Sequence, residues 1–355
     1  MMAGGGTGGH VIPSLAVASE LRRIGHDVLF IGTRRGMEAT LVPRAGFAIE
    51  WIEIGGLQRV GWQQTLRTFV LLPGSIWKCL GILRRSRAAA VFSMGGYVAA
   101  PVMMAASLSR IPIVSMEPNA LPGMVTRQMA GRVEKALISF DESRHYFPPG
   151  RTELTGLPVR QEFFDIPDRP AGSRFSVLIT GGSRGSRALN LAARESWPAF
   201  RDSSLPVRLV LQCGAAEHHE LLREFNESGL DGDVVPFIQD MPAAYAAADL
   251  VVSRSGAGAV SELAAAGKPS ILVPFPFAAD DHQRYNAQAM ERAGAARMIL
   301  EKDWNGARFF ETVRELATDP DQRTRMSAAA RTAARPGAAH RAAELLIGYG
   351  IRRKA

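Results

Sequence analysis

The sequence predicts an α/β protein made of two doubly wound domains. Short apolar strands alternate with amphipathic or Ala-rich helices along nearly the whole chain, which is the pattern of parallel sheets covered by helices. The chain has 355 residues, too many for one ordinary hydrophobic core and suited to two domains of similar size. Hydrophobic residues at 46% and charged residues at 21% are ordinary for a globular protein.

The predicted strands fall into two sets. Those of the first half lie near residues 28–32, 49–54, 89–93, 113–116 and 136–139. Those of the second half lie near residues 175–180, 207–212, 234–237, 250–253 and 270–273. Between the sets, residues 156–160 and the polar, proline-containing residues 165–173 predict an interdomain linker. The tail after Pro336 and Gly337 predicts one further helix.

The start of the chain is unusual for this fold class. Met1, Met2 and Ala3 are followed at once by a glycine run, and a helix is predicted over residues 13–24 because Pro13 suits a first helical turn. Three residues are too few for a full first strand. We therefore expect either a severely shortened strand or a translation start that is set too late, and we favour a few missing residues.

Cysteine content indicates the redox compartment. Cys79 and Cys213 fall in different halves and form no disulfide framework or metal-ligand spacing, so we expect a reducing cytoplasm. We find no secretory signal pattern and no apolar run long enough to span a bilayer.

The net charge of +8 is concentrated in the first half of the chain. Residues 1–150 carry 16 Lys and Arg against nine Asp and Glu, whereas residues 151–355 carry 26 against 25. This asymmetry predicts that the first domain faces an anionic partner. Because aromatic residues are sparse in the basic segments and no nucleic-acid motif is visible, we expect a membrane surface and no nucleic acid.

Residues 66–87 support the membrane interpretation. Their apolar members are Leu66, Phe69, Val70, Leu71, Leu72, Ile76, Trp77, Leu80, Ile82 and Leu83, and their basic members are Arg67, Lys78, Arg84, Arg85 and Arg87. Basic flanks around exposed apolar side chains suit an interfacial membrane contact. The alternative is a core helix with a solvated basic face.

The strongest functional signal lies in residues 253–286. An apolar strand at residues 250–252 runs into a loop of small residues and a helix that opens near Gly258, so unpaired backbone N–H groups suit a phosphate there. Glu262 follows on that helix, where its carboxylate is placed to accept hydrogen bonds from a ribose diol. A second loop is predicted to carry polar side chains to the same edge, namely Asp281, His282, Gln283 and Asn286. A nucleotide diphosphate is the ligand favoured, and an ordinary strand–turn–helix turn is the alternative.

Residues 4–10 form a second candidate site. Consecutive glycines let the backbone approach an anion closely and adopt positive φ, and the following helix adds its N-terminal dipole. The spacing does not fit the dinucleotide fingerprint. His10 ends this loop, and its imidazole is able to take a proton near neutral pH, so it is the candidate catalytic base. A solvated loop histidine is the alternative.

A second glycine loop of the first half follows a later strand. Residues 93–97 read S-M-G-G-Y and again open a helix, which makes Gly95, Gly96 and Tyr97 candidates for holding a diphosphate between the two glycine loops. The alternative is a turn that packs a helix closely on a strand.

Two more loops carry polar candidates. Asn119 is placed to bond a sugar hydroxyl or amide, although Asn beside Pro is also a turn former. Residues 180–186 are a third glycine loop at a strand end, in which Ser183 is placed to bond a phosphate and Arg184 or Arg187 to supply charge.

Together these motifs resemble the MurG family of peptidoglycan glycosyltransferases, and the resemblance spans essentially the whole chain. They are residues 5–10 (GGTGGH), 93–97, the Asn119 loop, 158–160 (PVR), 181–183 (GGS), 254–257 (RSGA), 261–267 (SELAAAG) and 280–283 (DDHQ). The resemblance implies a GT-B fold, in which two Rossmann-like doubly wound domains face each other across a cleft. It implies an acceptor-binding and membrane-facing domain in residues 1–156, a UDP-GlcNAc-binding domain in residues 157–335, and a helix in residues 336–355 that packs back on the first domain.

The resemblance also assigns roles to individual residues. In the second domain it implies that UDP-GlcNAc is bound by Arg160, Ser183, Ile238, Ala257, Gly258, Ala259, Val260, Ser261, Glu262 and Gln283. Among these, Ile238 frames the uracil through its backbone and Glu262 binds the ribose. In the first domain, the residues implied to reach the sugar or the acceptor are Thr7, Gly8, Gly9 and Asn119, with Gly95, Gly96 and Tyr97 on the acceptor diphosphate. His10 is implied to remove the proton from the muramyl 4-hydroxyl.

The implied activity is inverting transfer of N-acetylglucosamine from UDP-GlcNAc to lipid I, without a bound metal or other cofactor. The implied location is peripheral, at the cytoplasmic face of the bacterial plasma (inner) membrane, with an anionic lipid surface and a cell-wall synthesis complex as partners. Three alternatives stay open: a UDP-sugar epimerase or hydrolase of the same fold, a glycosyltransferase with a diacylglycerol acceptor, and a non-catalytic binding subunit.

Overall fold

The computed structural model describes residues 1–55, 62–169, 174–203 and 205–354, and the side chains of residues 62–70 and 354 lie outside that description. The chain forms two compact units. Unit 1 joins Met1–Pro158 to Arg335–Ala355, and unit 2 is Val159–Ala334. Each unit is built around its own parallel sheet.

Unit 1 alternates strands and helices in chain order. Its strands are β1 (Met2–Ala3), β2 (Leu29–Gly32), β3 (Ala48–Trp51), β4 (Val91–Ser93), β5 (Ile113–Glu117), β6 (Lys135–Ile138) and β7 (Thr152–Leu154). Its helices before the linker are α1 (Gly8–Arg23), α2 (Glu38–Arg44), α3 (Trp62–Arg85), α4 (Ala99–Leu108) and α5 (Met124–Met129). The strands form one seven-stranded sheet in the order β3-β2-β1-β4-β5-β6-β7.

The first strand is short but central. Met2 and Ala3 pair in parallel with Phe30 and Ile31 of β2 on one side and with β4 on the other, and both are fully buried. This pairing fixes the point where the chain leaves the sheet at its carboxyl edge. The loop that follows, residues 4–7, therefore lies at the same edge as the loops after β4 and β5.

Helix α1 begins earlier than the sequence predicts. Its first residue is Gly8 and its N-cap is Thr7, whose carbonyl accepts hydrogen bonds from the N–H groups of His10 and Val11 at 3.1 Å each. Pro13 lies inside the helix, so the prediction that the helix starts there is wrong. His10 consequently occupies the first helical turn and not a free loop.

Unit 2 repeats the same architecture. Its strands are β8 (Phe175–Thr180), β9 (Val207–Gln212), β10 (Gly232–Val235), β11 (Leu250–Ser253), β12 (Ser270–Leu272) and β13 (Ala296–Met298). Its helices are α6 (Gln161–Phe164), α7 (Arg187–Asp202), α8 (His218–Ser228), α9 (Met241–Ala247), α10 (Ala257–Ala265), α11 (His282–Arg292), α12 (Gly306–Thr318) and α13 (Pro320–Ala333). The sheet order is β10-β9-β8-β11-β12-β13, again all parallel.

The last helix, α14 (Ala338–Lys354), belongs to unit 1. His340 Nδ1 lies 2.8 Å from Glu20 Oε1 on α1, and Arg341 Nε donates to Glu153 Oε1 on β7 at 2.6 Å. Ala342 and Ala343 are fully buried against the unit. The helix is therefore held to unit 1 by both ion pairs and apolar packing.

Both sheets are buried on two faces, which is why their strands read as continuous apolar runs. All five residues of β5 are buried, and so are all four of β11. Ring pairs fill the core of unit 2, with Phe200 packed edge-on to Phe309 at 5.7 Å and Trp197 edge-on to Phe225 at 5.3 Å between centroids. Rigid sheets of this kind hold the loops at their carboxyl edges in fixed positions.

Candidate active site

In unit 2, the turn between β11 and α10 forms a phosphate-compatible site. Gly256 is the N-cap of α10 in an extended conformation (φ −62°, ψ 146°), and no side chain caps the helix. The first N–H groups of a helix have no intrahelical acceptor, so the backbone of Ala257, Gly258 and Ala259 presents donors at the positive end of the helix dipole. A diphosphate satisfies such donors.

Glu262 lies one helical turn further along α10. Burial raises the pKa of its carboxyl to about 7, and the positive charge of Arg160 opposes that rise. Arg160 is the N-cap of α6, with its guanidinium 5.0 Å from the centroid of Phe163, whose ring packs edge-on to Tyr245 at 5.4 Å. The structure thus places the acidic side chain of Glu262 and the cation of Arg160 close enough to interact electrostatically.

Gln283 is held at this edge by hydrogen bonds to the β11–α10 turn and to the segment after β12. Its Oε1 accepts from the Phe275 N–H at 3.0 Å, and its carbonyl accepts from Ser255 Oγ at 2.8 Å. The buried Asn286 donates through Nδ2 to the Ser255 carbonyl at 3.1 Å. The prediction that residues 281–286 form a loop is wrong, because α11 starts at His282 and these bonds dock its first turns against the β11–α10 turn.

The remaining donor candidates lie on neighbouring loops of unit 2. Ser183 is exposed in the tight turn after β8, where the Gly185 N–H donates to the Gly182 carbonyl at 2.8 Å. Ile238 is half-buried in the connection from β10 to α9. Val260 is buried on α10, so only its backbone is placed for a ligand, and Ser261 is half-buried. All of these positions follow carboxyl ends of parallel strands.

In unit 1, the first glycine loop is anchored by a glutamate that the sequence did not single out. Glu38, the first residue of α2, is fully buried and its Oε2 accepts the Gly6 N–H at 2.7 Å. Its Oε1 accepts from both the N–H and the hydroxyl of Thr33, at 2.9 and 2.8 Å. The Gly6 N–H is therefore bonded to a buried carboxylate of the protein, which fixes the loop that leads into α1.

His10 lies against both glycine loops. Its Nδ1 is 3.3 Å from the Gly5 carbonyl oxygen and 3.3 Å from Thr7 Oγ1. A Cβ placed on Gly96 would stand 3.3 Å from the His10 ring, so glycine at that position leaves the room that the imidazole occupies. Thr7 and Gly9 are exposed beside it and Gly8 is half-buried. The structure thus brings the residues of the two loops into one site.

In the second glycine loop, the backbone conformation also favours glycine. Gly95 and Gly96 have φ of +74° and +77°, a left-handed conformation that other residues rarely adopt. Ser93 Oγ accepts the Gly95 N–H at 3.1 Å, and the Tyr97 hydroxyl lies 3.4 Å from Thr33 Oγ1. Tyr97 thereby connects this loop to the residue that Glu38 holds.

Asn119 follows β5 and is fixed by its neighbour Glu117. Glu117 Oε1 accepts from the Asn119 backbone N–H at 3.0 Å and from Asn119 Nδ2 at 3.3 Å, and Oε2 accepts from the Gly123 N–H at 3.2 Å. Burial raises the pKa of Glu117 to about 7, and these hydrogen bonds, with one from Thr126, oppose the rise. Glu117 stands two residues before Asn119 in the sequence, but only the structure shows that its buried carboxylate holds the Asn119 loop by hydrogen bonds.

No metal-ligand cluster of three His, Cys, Asp or Glu side chains occurs among the residues that the structure describes. Two D-x-D spacings are present in the sequence, at residues 231–233 and 319–321. Asp231 pairs with Arg174 and Arg208, and Asp319 caps α13 by accepting the Gln322 N–H at 2.8 Å. The first aspartate of each D-x-D spacing is therefore already engaged with a protein group, a guanidinium or a backbone N–H.

The basic segment at residues 66–87 has both exposed and buried side chains. In α3, Trp77 is 75% exposed, while Cys79, Ile82 and Leu83 are buried in the core. The side chains of Leu66, Arg67, Phe69 and Val70 lie outside the described residues. Within the described ranges, no helix is long and apolar enough to cross a bilayer.

Two doubly wound units, each with ligand-compatible loops at the carboxyl edge of its sheet, are the GT-B architecture of glycosyltransferases. The N-terminal domain of glycosyltransferase family 28 matches residues 1–138, and the C-terminal domain of that family matches residues 176–342. The chain is 59% identical, over 98% of its length and 94% of the relative, to the UDP-N-acetylglucosamine–N-acetylmuramyl-(pentapeptide) pyrophosphoryl-undecaprenol N-acetylglucosamine transferase of Solibacter usitatus.

A second relative and a solved structure are similar to the chain over nearly its whole length. The enzyme of the same name from Myxococcus xanthus is 38% identical over 98% of this chain and 92% of the relative. The crystal structure of Acinetobacter baumannii MurG superposes with a TM-score of 0.84 at 30% identity, covering 98% of each chain. The chain therefore belongs to the MurG family of glycosyltransferases, with the GT-B fold that its motifs predict.

Proposed function

We propose that this protein transfers N-acetylglucosamine from UDP-GlcNAc to the 4-hydroxyl of the muramyl residue of lipid I, forming lipid II for peptidoglycan synthesis. The main structural support for binding of the donor, UDP-GlcNAc, is the uncapped N-terminus of α10 with Glu262 one turn away. This pairing offers N–H donors to a diphosphate and a carboxylate to a ribose. The names of the similar transferases support the same donor and acceptor.

On the donor side, the backbone of residues 257–261 and Ser183 hold the diphosphate, and Arg160 adds a positive charge. Glu262 accepts hydrogen bonds from the ribose hydroxyls. The Ile238 backbone borders the uracil, and Gln283 contacts the nucleotide and its phosphates. As the bond from the anomeric carbon to the diphosphate breaks, the electron pair leaves with UDP, and the helix terminus stabilises the developing charge.

On the acceptor side, His10 is the base. Nε2 takes the proton of the muramyl 4-hydroxyl while that oxygen attacks the anomeric carbon from the side opposite to UDP, so the configuration inverts. Asn119, Thr7, Gly8 and Gly9 position the reacting sugars. Gly95, Gly96 and Tyr97 contact the acceptor diphosphate through the loop after β4.

Peripheral association with the cytoplasmic face of the plasma membrane is part of the proposal, because lipid I carries a polyprenyl chain. It is supported by the basic bias of residues 1–150 and by the exposed Trp77 beside exposed Lys78 on α3. Basic side chains attract anionic lipids, and an aromatic side chain suits the interface. A place in a cell-wall synthesis complex belongs to the same proposal.

Acceptor competition tests this function against its alternatives. The full chain is given labelled UDP-GlcNAc with a lipid I analogue, with diacylglycerol, or with no acceptor, in the presence and absence of EDTA, and products are identified by mass spectrometry. We expect a β-linked disaccharide product on the lipid I analogue alone, with or without EDTA. Release of a free or epimerised sugar without acceptor, or transfer to diacylglycerol alone, would overturn the proposal.

A further inference from the structure

We propose that Glu38 is a positioning residue for His10 that acts through the Gly5–Gly6 peptide group. The inference deepens the proposed function and rests on it, because His10 is the base there. Glu38 Oε2 accepts the Gly6 N–H at 2.7 Å, and the carbonyl oxygen of the same peptide group, that of Gly5, lies 3.3 Å from His10 Nδ1. Carboxylate, peptide and imidazole form one continuous line of hydrogen bonds, which we call the Glu38 relay.

The carboxylate end of the Glu38 relay is built into the core. Glu38 is fully buried, and its two oxygens accept three hydrogen bonds from groups that only donate to them: the Gly6 N–H and the N–H and hydroxyl of Thr33. A Cβ on Gly5 would stand 2.7 Å from the Glu38 carboxyl, and one on Gly32 would stand 2.6 Å from its Cγ. The surrounding chain thus leaves space for this carboxylate and supplies donors for it, as a buried carboxylate requires.

The relay dictates which ring nitrogen of His10 carries the proton. A carbonyl oxygen only accepts hydrogen bonds, so the contact from Gly5 places the hydrogen on Nδ1 and the lone pair of the neutral ring on Nε2. Donation of the Gly6 N–H to an anion polarises the peptide group and strengthens its carbonyl as an acceptor. Once Nε2 has taken the hydroxyl proton, the same carboxylate stabilises the imidazolium charge, as the aspartate of a catalytic triad does by direct contact.

Tyr97 and Thr33 extend the relay on its other side. Thr33 uses its hydroxyl hydrogen toward Glu38 Oε1, so its oxygen accepts from the Tyr97 hydroxyl 3.4 Å away. Glu38 on α2 and the Tyr97 phenol after β4 are two titratable groups that these hydrogen bonds connect to His10. Thr7 offers the competing arrangement, because a hydroxyl donated to Nδ1 at 3.3 Å would put the proton on Nε2.

The tautomer of His10 in the full-length wild-type protein tests the relay without any change to Glu38. The ¹⁵N chemical shifts of the imidazole distinguish a protonated from an unprotonated ring nitrogen, and the His10 signals are assigned by their loss in His10→Gln. We expect Nδ1 to be protonated and Nε2 unprotonated in the neutral ring. The reverse pattern would overturn the proposal, because Thr7 would then hold the ring and Glu38 would have no part.

A kinetic test uses Glu38→Gln and, as its matched control, the same substitution at the exposed Glu134, which lies outside the relay. At position 38 a glutamine turns an N–H group toward Gly6 or Thr33 and removes the charge. For Glu38→Gln we expect kcat to fall about 10- to 100-fold, the loss typical for hydrogen-bond partners that orient a metal-binding histidine, and the acid limb of the kcat profile to move to lower pH. Glu134→Gln is expected to leave that limb in place. An equal displacement in both variants, or none in Glu38→Gln, would contradict the relay.

The failure of the relay and the failure of the proposed function give different results. If the wild type transfers no sugar to the lipid I analogue, the proposed function is wrong, and the tautomer still decides whether the hydrogen-bonded line exists. If Glu38→Gln does not fold, as judged by circular dichroism, Glu38→Asp takes its place. It keeps the charge at a greater distance, and we expect an intermediate kcat and a smaller displacement of the acid limb; a normal profile together with Nε2 protonation would overturn the inference.

Discussion

Glu117 and Asn119 are joined by two hydrogen bonds, because Oε1 of the glutamate accepts both the backbone N–H and the side-chain amide of the asparagine, at 3.0 and 3.3 Å. The loop that presents Asn119 after β5 is therefore fixed by a carboxylate that is itself 2% exposed. Burial of that carboxylate has a measurable consequence for stability, because it raises the pKa of Glu117 to about 7.

We predict that Glu117 makes the protein less stable as the pH rises from about 4.5 to about 7. The folded state holds the proton more tightly than the unfolded state, so the stabilisation is complete below the unfolded pKa and is lost as the pH rises through the folded one. The loss reaches about 3 kcal/mol. Urea unfolding of the wild type and Glu117→Gln across this range should show the variant gaining relative stability with pH. The exposed Glu134→Gln is the control, and a constant difference between wild type and Glu117→Gln would contradict the prediction.

Gly96→Ala should impair catalysis more than it impairs folding. Its φ of +77° is costly for alanine, by about 1–2 kcal/mol, and the added methyl would stand 3.3 Å from the His10 ring. A displaced base loses its geometry, so we expect kcat to fall on the order of 100-fold while UDP-GlcNAc affinity is kept. The matched control is Gly131→Ala, where no atom lies within 4 Å of the added carbon. Equal kcat in the two variants would show that His10 does not depend on this contact.

Donor binding should depend on the ionisation of Glu262. The ribose hydroxyls donate to its carboxylate, so binding favours the ionised form, which predominates above a pKa of about 7. We predict that the Kd for UDP-GlcNAc falls about tenfold between pH 6 and pH 8, measured by isothermal titration calorimetry. Glu262→Gln should bind more weakly and lose this pH dependence, while the exposed Glu311→Gln keeps it. A pH-independent Kd in the wild type would remove Glu262 from the ribose site.

Membrane binding should depend on α3. We predict that Trp77→Ala with Lys78→Glu reduces flotation with vesicles that contain anionic lipid, because the variant loses both an exposed aromatic ring and a positive charge. The exposed Arg223→Glu on α8 of unit 2 is the control for net charge. Undiminished flotation of the α3 variant, or an equal loss in the control, would argue against this surface.

The strands were predictable where both faces of the sheet are buried. The runs at β8, β9 and β11 were predicted at their observed bounds because uninterrupted apolar segments between turns have few other interpretations. The edge strands β7 (T-E-L) and β13 (A-R-M) were missed, since each is three residues long and carries a charged side chain. A three-residue edge strand with a charged side chain lacks the buried apolar run from which a strand is predicted.

One local motif predicted the turn between β11 and α10 and the place of Glu262 on the helix that follows, while the ligand of this turn stays a prediction. Contacts between distant segments were not predictable. Nothing near Glu38 in sequence indicates that its carboxylate holds Gly6, 32 residues away. The contact of His10 with Gly96 likewise arises from the pairing of β1 with β4, which places two loops side by side. Such contacts follow from sheet topology and not from local propensity.

The proposed transferase function and the role of His10 are tested most directly by one assay. It measures transfer of labelled N-acetylglucosamine from UDP-GlcNAc to a lipid I analogue by the wild type and by His10→Ala. A general base contributes about 10²- to 10⁴-fold to rate, so we predict wild-type product and a loss of that size in the variant, with UDP-GlcNAc affinity unchanged. Transfer by His10→Ala at the wild-type rate would contradict the role of His10. Absence of transfer by the wild type would contradict the proposed function itself.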